Sequence, residues 1–302
     1  MCGGVYNYME IIYERRICMP EFFTKISAFF TSVALVIVYL LGFGTVSNSA
    51  GYELVRQDKV IMLDALSCGQ GMCTDGEYLY SSSAITALNL TIIAKWDKDM
   101  NRIKSNVFAV PRELTKNYGS NHIGGIDCFG GYIYAPVEDD DYRYNFILLY
   151  DCDTLEYTGK CYNMTSDMLT DGIPWCAVDG ENGYLYTSKY SDVTEILQYN
   201  LSDMSFNRAI QLDRMVTRIQ GGSVYDGKLY LSADVSHSVD EQVFAVELSS
   251  GHTVLEMERY LCNYDNEAED IFIYPFADGS LVHVIDYDKL LGVNIMHYKK
   301  TA

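Results

Sequence analysis

From about residue 52 onward, short runs of apolar or alternating apolar and polar residues are broken by tight Gly-containing turns. Five of these breaks share one form, a turn followed by a Tyr-rich strand. They are Asp75-Gly76-Glu77-Tyr78-Leu79-Tyr80, Gly130-Gly131-Tyr132-Ile133-Tyr134, Gly183-Tyr184-Leu185-Tyr186, Asp226-Gly227-Lys228-Leu229-Tyr230 and Asp278-Gly279-Ser280-Leu281-Val282. Counted between the residues aligned with Tyr80 (Tyr134, Tyr186, Tyr230 and Val282), the spacings are 54, 52, 44 and 52. A repeat of this size built from strands predicts a β-propeller.

Each unit divides into strands A to D, with A innermost. The A strands are expected near residues 70–74, 124–129, 175–179, 220–225 and 269–274, and the B strands carry the Tyr motifs. The C strands are apolar: 91–96, 146–150, 195–199, 242–246 and 293–297. D strands are expected at 106–110, 159–163, 206–211 and 253–258, and the fifth unit ends before it has one. An N-terminal strand at 52–60 supplies the missing piece and closes a five-bladed ring, which removes exposed sheet edges. A six-bladed ring is the alternative, and it needs strands for which the sequence shows no segment.

Residues 26–46 are uncharged and mostly apolar, long enough to cross a bilayer as one helix. Arg15, Arg16 and Lys25 precede it and the next cation is Arg56. This asymmetry places residues 1–25 in the cytoplasm and the propeller, 51–302, outside. Ser47-Asn48-Ser49-Ala50 has the small residues of a cleavage site, so a membrane-tethered and a secreted form are both expectations. Met19 is an alternative start, and residues 14–18 can be encoded by a bacterial-type ribosome-binding site, which points to a bacterial source.

The net charge of −19 makes nucleic acid an unfavourable partner and favours cations. A monomer is expected. Nine Cys include no C-x-x-C pair, so no zinc or redox motif is evident. Counted from Met19 the Cys number seven, an odd number that argues against a full disulfide framework. Cys73, Cys128 and Cys176 fall in A strands as small buried hydrophobes, and Cys152 and Cys161, which span one hairpin, are the pair a bridge would join.

The start of A and the end of B share one face, so the D-to-A and B-to-C loops crowd one mouth of the ring. Aligning the units places Gln70, Gly124 and Gln220 at one ring position, with His122 and Arg218 two residues earlier. Glu269 and Glu267 are the softer matches in the fifth unit, and Pro174 and Trp175 in the third. The B-strand ends add Glu138 with Asp139 to Asp141, Lys189, Asp234 with His237, and Asp286 with Asp288. Asp139 to Asp141 form a solvated loop and lack calcium-loop spacing.

The expected ligand-binding set is Gln70, His122, Trp175, Arg218, Gln220, Asp234, Glu267, Glu269 and Asp286, with Trp175 a stacking platform or a core plug. Glu269, Glu138 and His122 are the candidates for acid-base chemistry. Glu138, Glu267 and Glu269 are the candidates for a calcium ion, whose preferred ligands are hard oxygens. The function expected is binding of a small-molecule, carbohydrate or protein ligand at an acidic mouth. A lactonase- or glycosidase-like hydrolase, with or without a calcium ion, and a purely structural cell-surface interaction module are the alternatives.

The D-G-x-L-Y cores, together with C strands ending in Tyr150-Asp151 or Tyr199-Asn200, resemble the broad superfamily of NHL-like and gluconolactonase-like propeller repeats. The resemblance covers about residues 52–298 and implies the architecture. It includes calcium-dependent lactonases, sugar hydrolases and binding scaffolds. Its hydrolases use channel carboxylates, to which Glu138, Glu267 and Glu269 correspond by position. The run Asn121 to Asp127 looks like a narrower fingerprint with no chemistry attached.

Overall fold

The computed structural model describes residues 51–61, 63–234, 240–260, 266–288 and 292–301. The expected tail, apolar segment and cleavage site lie outside these, as do His237 and Cys262. Among the described residues no helix is long and apolar enough to cross a membrane.

Five small antiparallel sheets form the blades of a five-bladed β-propeller. The chain enters through β1 (Tyr52–Val60). Blade 1 holds β2 (Gly71–Thr74), β3 (Leu79–Ile85), β4 (Leu90–Trp96) and β5 (Arg102–Asn106). The one α-helix among the described residues, α1 (Arg112–Tyr118), leads to blade 2. That blade holds β6 (His122–Ile123), β7 (Asp127–Phe129), β8 (Tyr132–Glu138), β9 (Asn145–Asp151) and β10 (Tyr157–Asn163). Blade 3 holds β11 (Ala177–Asp179), β12 (Tyr184–Thr187), β13 (Val193–Asn200) and β14 (Phe206–Val216). Blade 4 holds β15 (Ile219–Tyr225), β16 (Lys228–Ala233), β17 (Asp240–Glu247) and β18 (Thr253–Tyr260). Blade 5 holds β19 (Asn266–Ile273), β20 (Val282–Asp288) and β21 (Gly292–Lys300).

The ring closes as the strand count requires. β1 pairs antiparallel with β21, from Tyr52 opposite Lys300 to Val60 opposite Val293. Tyr52 and Lys300 both bond Glu256 Oε1, at 2.5 and 2.6 Å, which ties the closing blade to β18 of blade 4.

The apolar side chains collect between blades rather than around one centre. One cluster joins β3 and β4 to β7, β8 and β9, with Tyr80, Ile93, Ile133 and Leu148 at its middle. Equivalent clusters lie between blades 2 and 3, 3 and 4, 4 and 5, and 5 and 1. The B and C strands are therefore apolar on both faces, as sandwiched strands must be. The outermost β5 pairs with β4 alone, and its side chains are exposed or half-buried.

This explains the one displaced strand. Asn106 to Val110 looks like a D strand by its apolar content, yet the strand observed is the polar β5, Arg102–Asn106. Ala109 and Val110 instead turn inward under blade 1, and Thr91 Oγ1 accepts the Val110 N–H at 2.9 Å.

Near the axis, polar side chains staple neighbouring blades. Asp127 of blade 2 accepts the Val178 N–H of blade 3 at 2.7 Å, and Asp270 of blade 5 accepts the Met72 N–H of blade 1 at 3.1 Å. Ser223 accepts the Ile273 N–H at 3.1 Å. Burial pushes the Asp127 carboxyl up to about 7 and Asp270 well above the usual range, against the pull of their amide donors. Two glycines make this crowding possible, since a Cβ on Gly221 would strike Asp270 and one on Gly222 would stand 2.6 Å from the Trp175 ring.

Candidate functional site

The D-to-A connections and B-to-C loops meet at one mouth of the ring, where a cleft of about 270 Å³ opens. The D-to-A side supplies Gln70, His122, Asp171, Pro174 and Gln220, together with Glu267 and Glu269 at the start of β19. The B-to-C side supplies Glu138 from the end of β8, then Tyr142 and Tyr190. The ring alignment thus brought Gln70, His122, Glu138, Gln220, Glu267 and Glu269 to one place, and Pro174 with them.

Four of these residues form a chain across three blades. Glu138 Oε1 lies 3.0 Å from His122 Nδ1. That approach is electrostatic, because the geometry is off the line a hydrogen bond needs. His122 Nε2 stands 2.7 Å from Gln70 Oε1, and Gln70 Nε2 donates to Glu269 Oε1 at 3.4 Å. Gln70 Nε2 also faces the Gly69 carbonyl at 3.1 Å, so the amide oxygen is the atom turned to His122.

The loop before blade 3 locks the other side of Glu138. Ile173 donates its N–H to Glu138 Oε2 at 2.6 Å. Gly172, at φ +100°, lets this loop close: a Cβ there would collide with Glu138 and stand 2.9 Å from the Tyr142 ring. Asp171 accepts the N–H groups of Tyr190 and Ser191 at 2.9 and 2.8 Å, which fixes its carboxylate at the rim.

Burial raises the phenols of Tyr190 and Tyr142 above their ordinary value, with nearby carboxylates adding to it, so both stay protonated at neutral pH. The cleft therefore offers carboxylates, two hydroxyls and two amides around a single imidazole.

Four expected ligand residues, Trp175, Arg218, Asp234 and Asp286, do not line it. Trp175 is fully buried, and its Nε1–H donates to Ser188 Oγ at 3.2 Å; it plugs the interface of blades 3 and 4. Asp234 is buried and paired with Arg218. Asp286 is buried in an ion pair with Arg259. Arg218 stands beside the cleft, its guanidinium 5.4 Å from the centre of the Tyr190 ring. Asp139 is also not solvated: it is buried, and its Oδ1 accepts the Tyr144 N–H at 2.7 Å. Cys152 and Cys161 are free thiols.

Asp171, Tyr142 and Tyr190 were not expected. They come from loops of unequal length, where a fixed offset from the Tyr motif has no meaning. The Asp171-Gly172 turn was the available signal.

Among the described residues, the mouth carboxylates bring no three oxygens within 4.8 Å of one another. Glu138, Glu267 and Glu269 are thus not arranged as a ready calcium cage. Among the described residues, the one close trio of potential metal ligands is Cys73, Asp127 and Cys128, two thiols and a carboxylate toward the A-to-B turns of blades 1 and 2. No sequence spacing reveals it, since two blades contribute.

No protein-family model matches the chain. No curated protein matches it by sequence. Among solved structures, the glutaminyl cyclase of Myxococcus xanthus is similar with a TM-score of 0.54 and 11% identity, over 82% of this chain and 95% of that one. Hydrazine synthase of Kuenenia stuttgartiensis gives a TM-score of 0.44 at 13% identity, over 75% of this chain and 57% of that one. The nidogen/laminin complex gives 0.46 at 14%, over 67% and 66%. The first likeness is one of fold, and the other two carry no argument.

Proposed function

We propose that the mouth binds a small cationic ligand bearing several hydrogen-bonding groups, such as an ammonium-bearing sugar or amino-acid derivative. The observation that carries this reading is the convergence of Glu138, Asp171, Glu267 and Glu269 on one cleft of about 270 Å³. Among the described residues, His122 is the only basic side chain lining it. An ammonium about 4 Å from one such carboxylate gains roughly 4 kcal/mol at an effective dielectric of about 20, before desolvation. The volume lies near the lower end for ligand pockets, which suits a small molecule. An extracytoplasmic propeller, tethered or secreted, is part of this proposal and rests on residues 26–46.

A hydrolase is the second reading, and the pairing of Glu138 with His122 favours it. The acid-base role requires a nitrogen free for substrate. His122 Nε2 is engaged by Gln70 and Nδ1 faces Glu138, so the resting geometry supports binding better than catalysis. The Myxococcus xanthus neighbour is an enzyme, which keeps an activity assay worthwhile without assigning one.

The test is a thermal-shift panel on the full chain, comparing amines with their neutral acylated counterparts, for example glucosamine with N-acetylglucosamine. Stabilisation by the charged member alone supports the proposal. Equal stabilisation by both, or by neither across the panel, overturns it.

A further inference from the structure

A larger groove, of about 650 Å³, opens beside blade 1, and its lining shares no residue with that of the mouth. It exists because one D-to-A connection differs from the rest. Between β5 and β6 the chain makes α1, and Arg112 and Thr115 of that helix face Leu88 and Asn89 from the turn between β3 and β4. None of the other D-to-A connections contains an α-helix among the described residues.

The groove's chemistry is unlike that of the mouth. Leu88 and Phe108 stand at it with 65% and 69% of their surface exposed, and Val110 lines it from the interior. Large apolar side chains so exposed at a concave site mark a surface that covers an apolar group. Arg112 also lines the groove and has no ion-pair or ring partner among the described residues. At the groove's inner end are Ser120 and Asn121, both more than nine-tenths buried. Ser120 Oγ and Asn121 Oδ1 have no hydrogen-bond partner among the described residues, although Asn121 Nδ2 is held by Asp140 at 3.0 Å. An unpaired buried acceptor costs free energy, and since both atoms are closed to solvent a ligand donor recovers it once these side chains turn toward the groove.

We propose that this groove is a second binding site, which takes the C-terminal residue of an apolar peptide or an N-acylated apolar amino acid. The apolar side chain packs on Leu88, Phe108 and Val110. The carboxylate meets the planar guanidinium of Arg112, which matches it in two parallel hydrogen bonds. The adjacent amide N–H supplies the donor that Asn121 Oδ1 lacks, and the Ser120 hydroxyl turns to either group. The two linings share no residue, so the proposal for the mouth and this one are tested separately.

The experiment is calorimetric titration of the full chain with acetyl-Gly-Leu-Phe as the free acid and as the C-terminal amide. The expected result is binding of the acid about tenfold or more tightly than the amide, the effect of one charge-assisted contact. Arg112→Gln should abolish that preference, and Phe108→Ala should weaken both forms; each side chain is exposed, so the fold survives, as an unchanged melting temperature would show. Glu267→Gln, at the mouth, should change neither titration. Equal affinity for acid and amide, no heat from either on folded protein, a preference that persists in Arg112→Gln, or loss of binding in Glu267→Gln would each overturn the proposal.

Discussion

His122 Nε2 and Gln70 Oε1 meet at 2.7 Å, and this contact joins blade 2 to blade 1 across the mouth. The Gln70 amide nitrogen is turned to the Gly69 carbonyl and to Glu269, both acceptors, so its oxygen must accept from the imidazole. His122 therefore carries a proton on Nε2. Nitrogen NMR of the imidazole at neutral pH should show that protonation, and Gln70→Leu should release it. A neutral ring protonated on Nδ1 alone would contradict the network.

Gly172 is the hinge on which the cleft's rim closes. Its φ of +100° and its contact with Glu138 exclude a side chain. Gly172→Ala should cost about 1–3 kcal/mol in urea unfolding. It should also break the Ile173 contact and so loosen ligand binding at the mouth. Unchanged stability with unchanged binding would show that the loop does not need this conformation.

The half-buried Asp127 makes a pH prediction with a definite sign. Its carboxyl holds its proton up to about pH 7 in the folded state, against 3.8 for the free group. Between those values the folded chain binds more protons than the unfolded one, so this group's contribution to stability is fullest below about pH 4 and falls as pH rises toward 7. Asp127→Asn should flatten that part of the profile, measured as the difference between wild type and variant in chemical unfolding from pH 4 to 7.5. An identical slope in both would place the titration elsewhere.

Closure through β1 should be essential. Deleting residues 51–60 removes the whole β1–β21 ladder and the Tyr52–Glu256 contact. It also bares the β21 edge. The expected loss is on the order of the stability of the fold itself, about 5–15 kcal/mol, seen as loss of the cooperative unfolding transition. A truncated chain that still melts cooperatively near the wild-type temperature would refute the closure.

The blade count was visible in the chain because turn, Tyr strand and apolar C strand recur as a local pattern, and the closing strand followed from the one the fifth unit lacks. The D strand of blade 1 was misplaced because edge strands carry no burial pattern, whereas Ala109 and Val110 are apolar for reasons of interblade packing. At the mouth, Gln70, His122 and Gln220 are legible because they keep a fixed offset from the Tyr motif, and Glu267 and Glu269 follow once the longer turn of the fifth unit is allowed for. Trp175 lies at an A-strand start but turns into a blade interface, and Asp234 and Asp286, at B-strand ends like Glu138, are buried in ion pairs with Arg218 and Arg259; a turn of one side chain away from the axis leaves no trace in residue spacing. Asp171, Tyr142 and Tyr190 arrive on loops of irregular length.

The most direct measurement is the affinity of the best amine from the panel for wild type and for Glu267→Gln and Glu269→Gln, by calorimetry at low and physiological salt. Charge-driven binding at the mouth predicts about tenfold weaker binding in each variant and weaker binding at higher salt, with melting temperatures little changed. Affinity indifferent to both substitutions and to salt would mean that the carboxylates do not hold the ligand, and the account of the mouth as a cation site would fail.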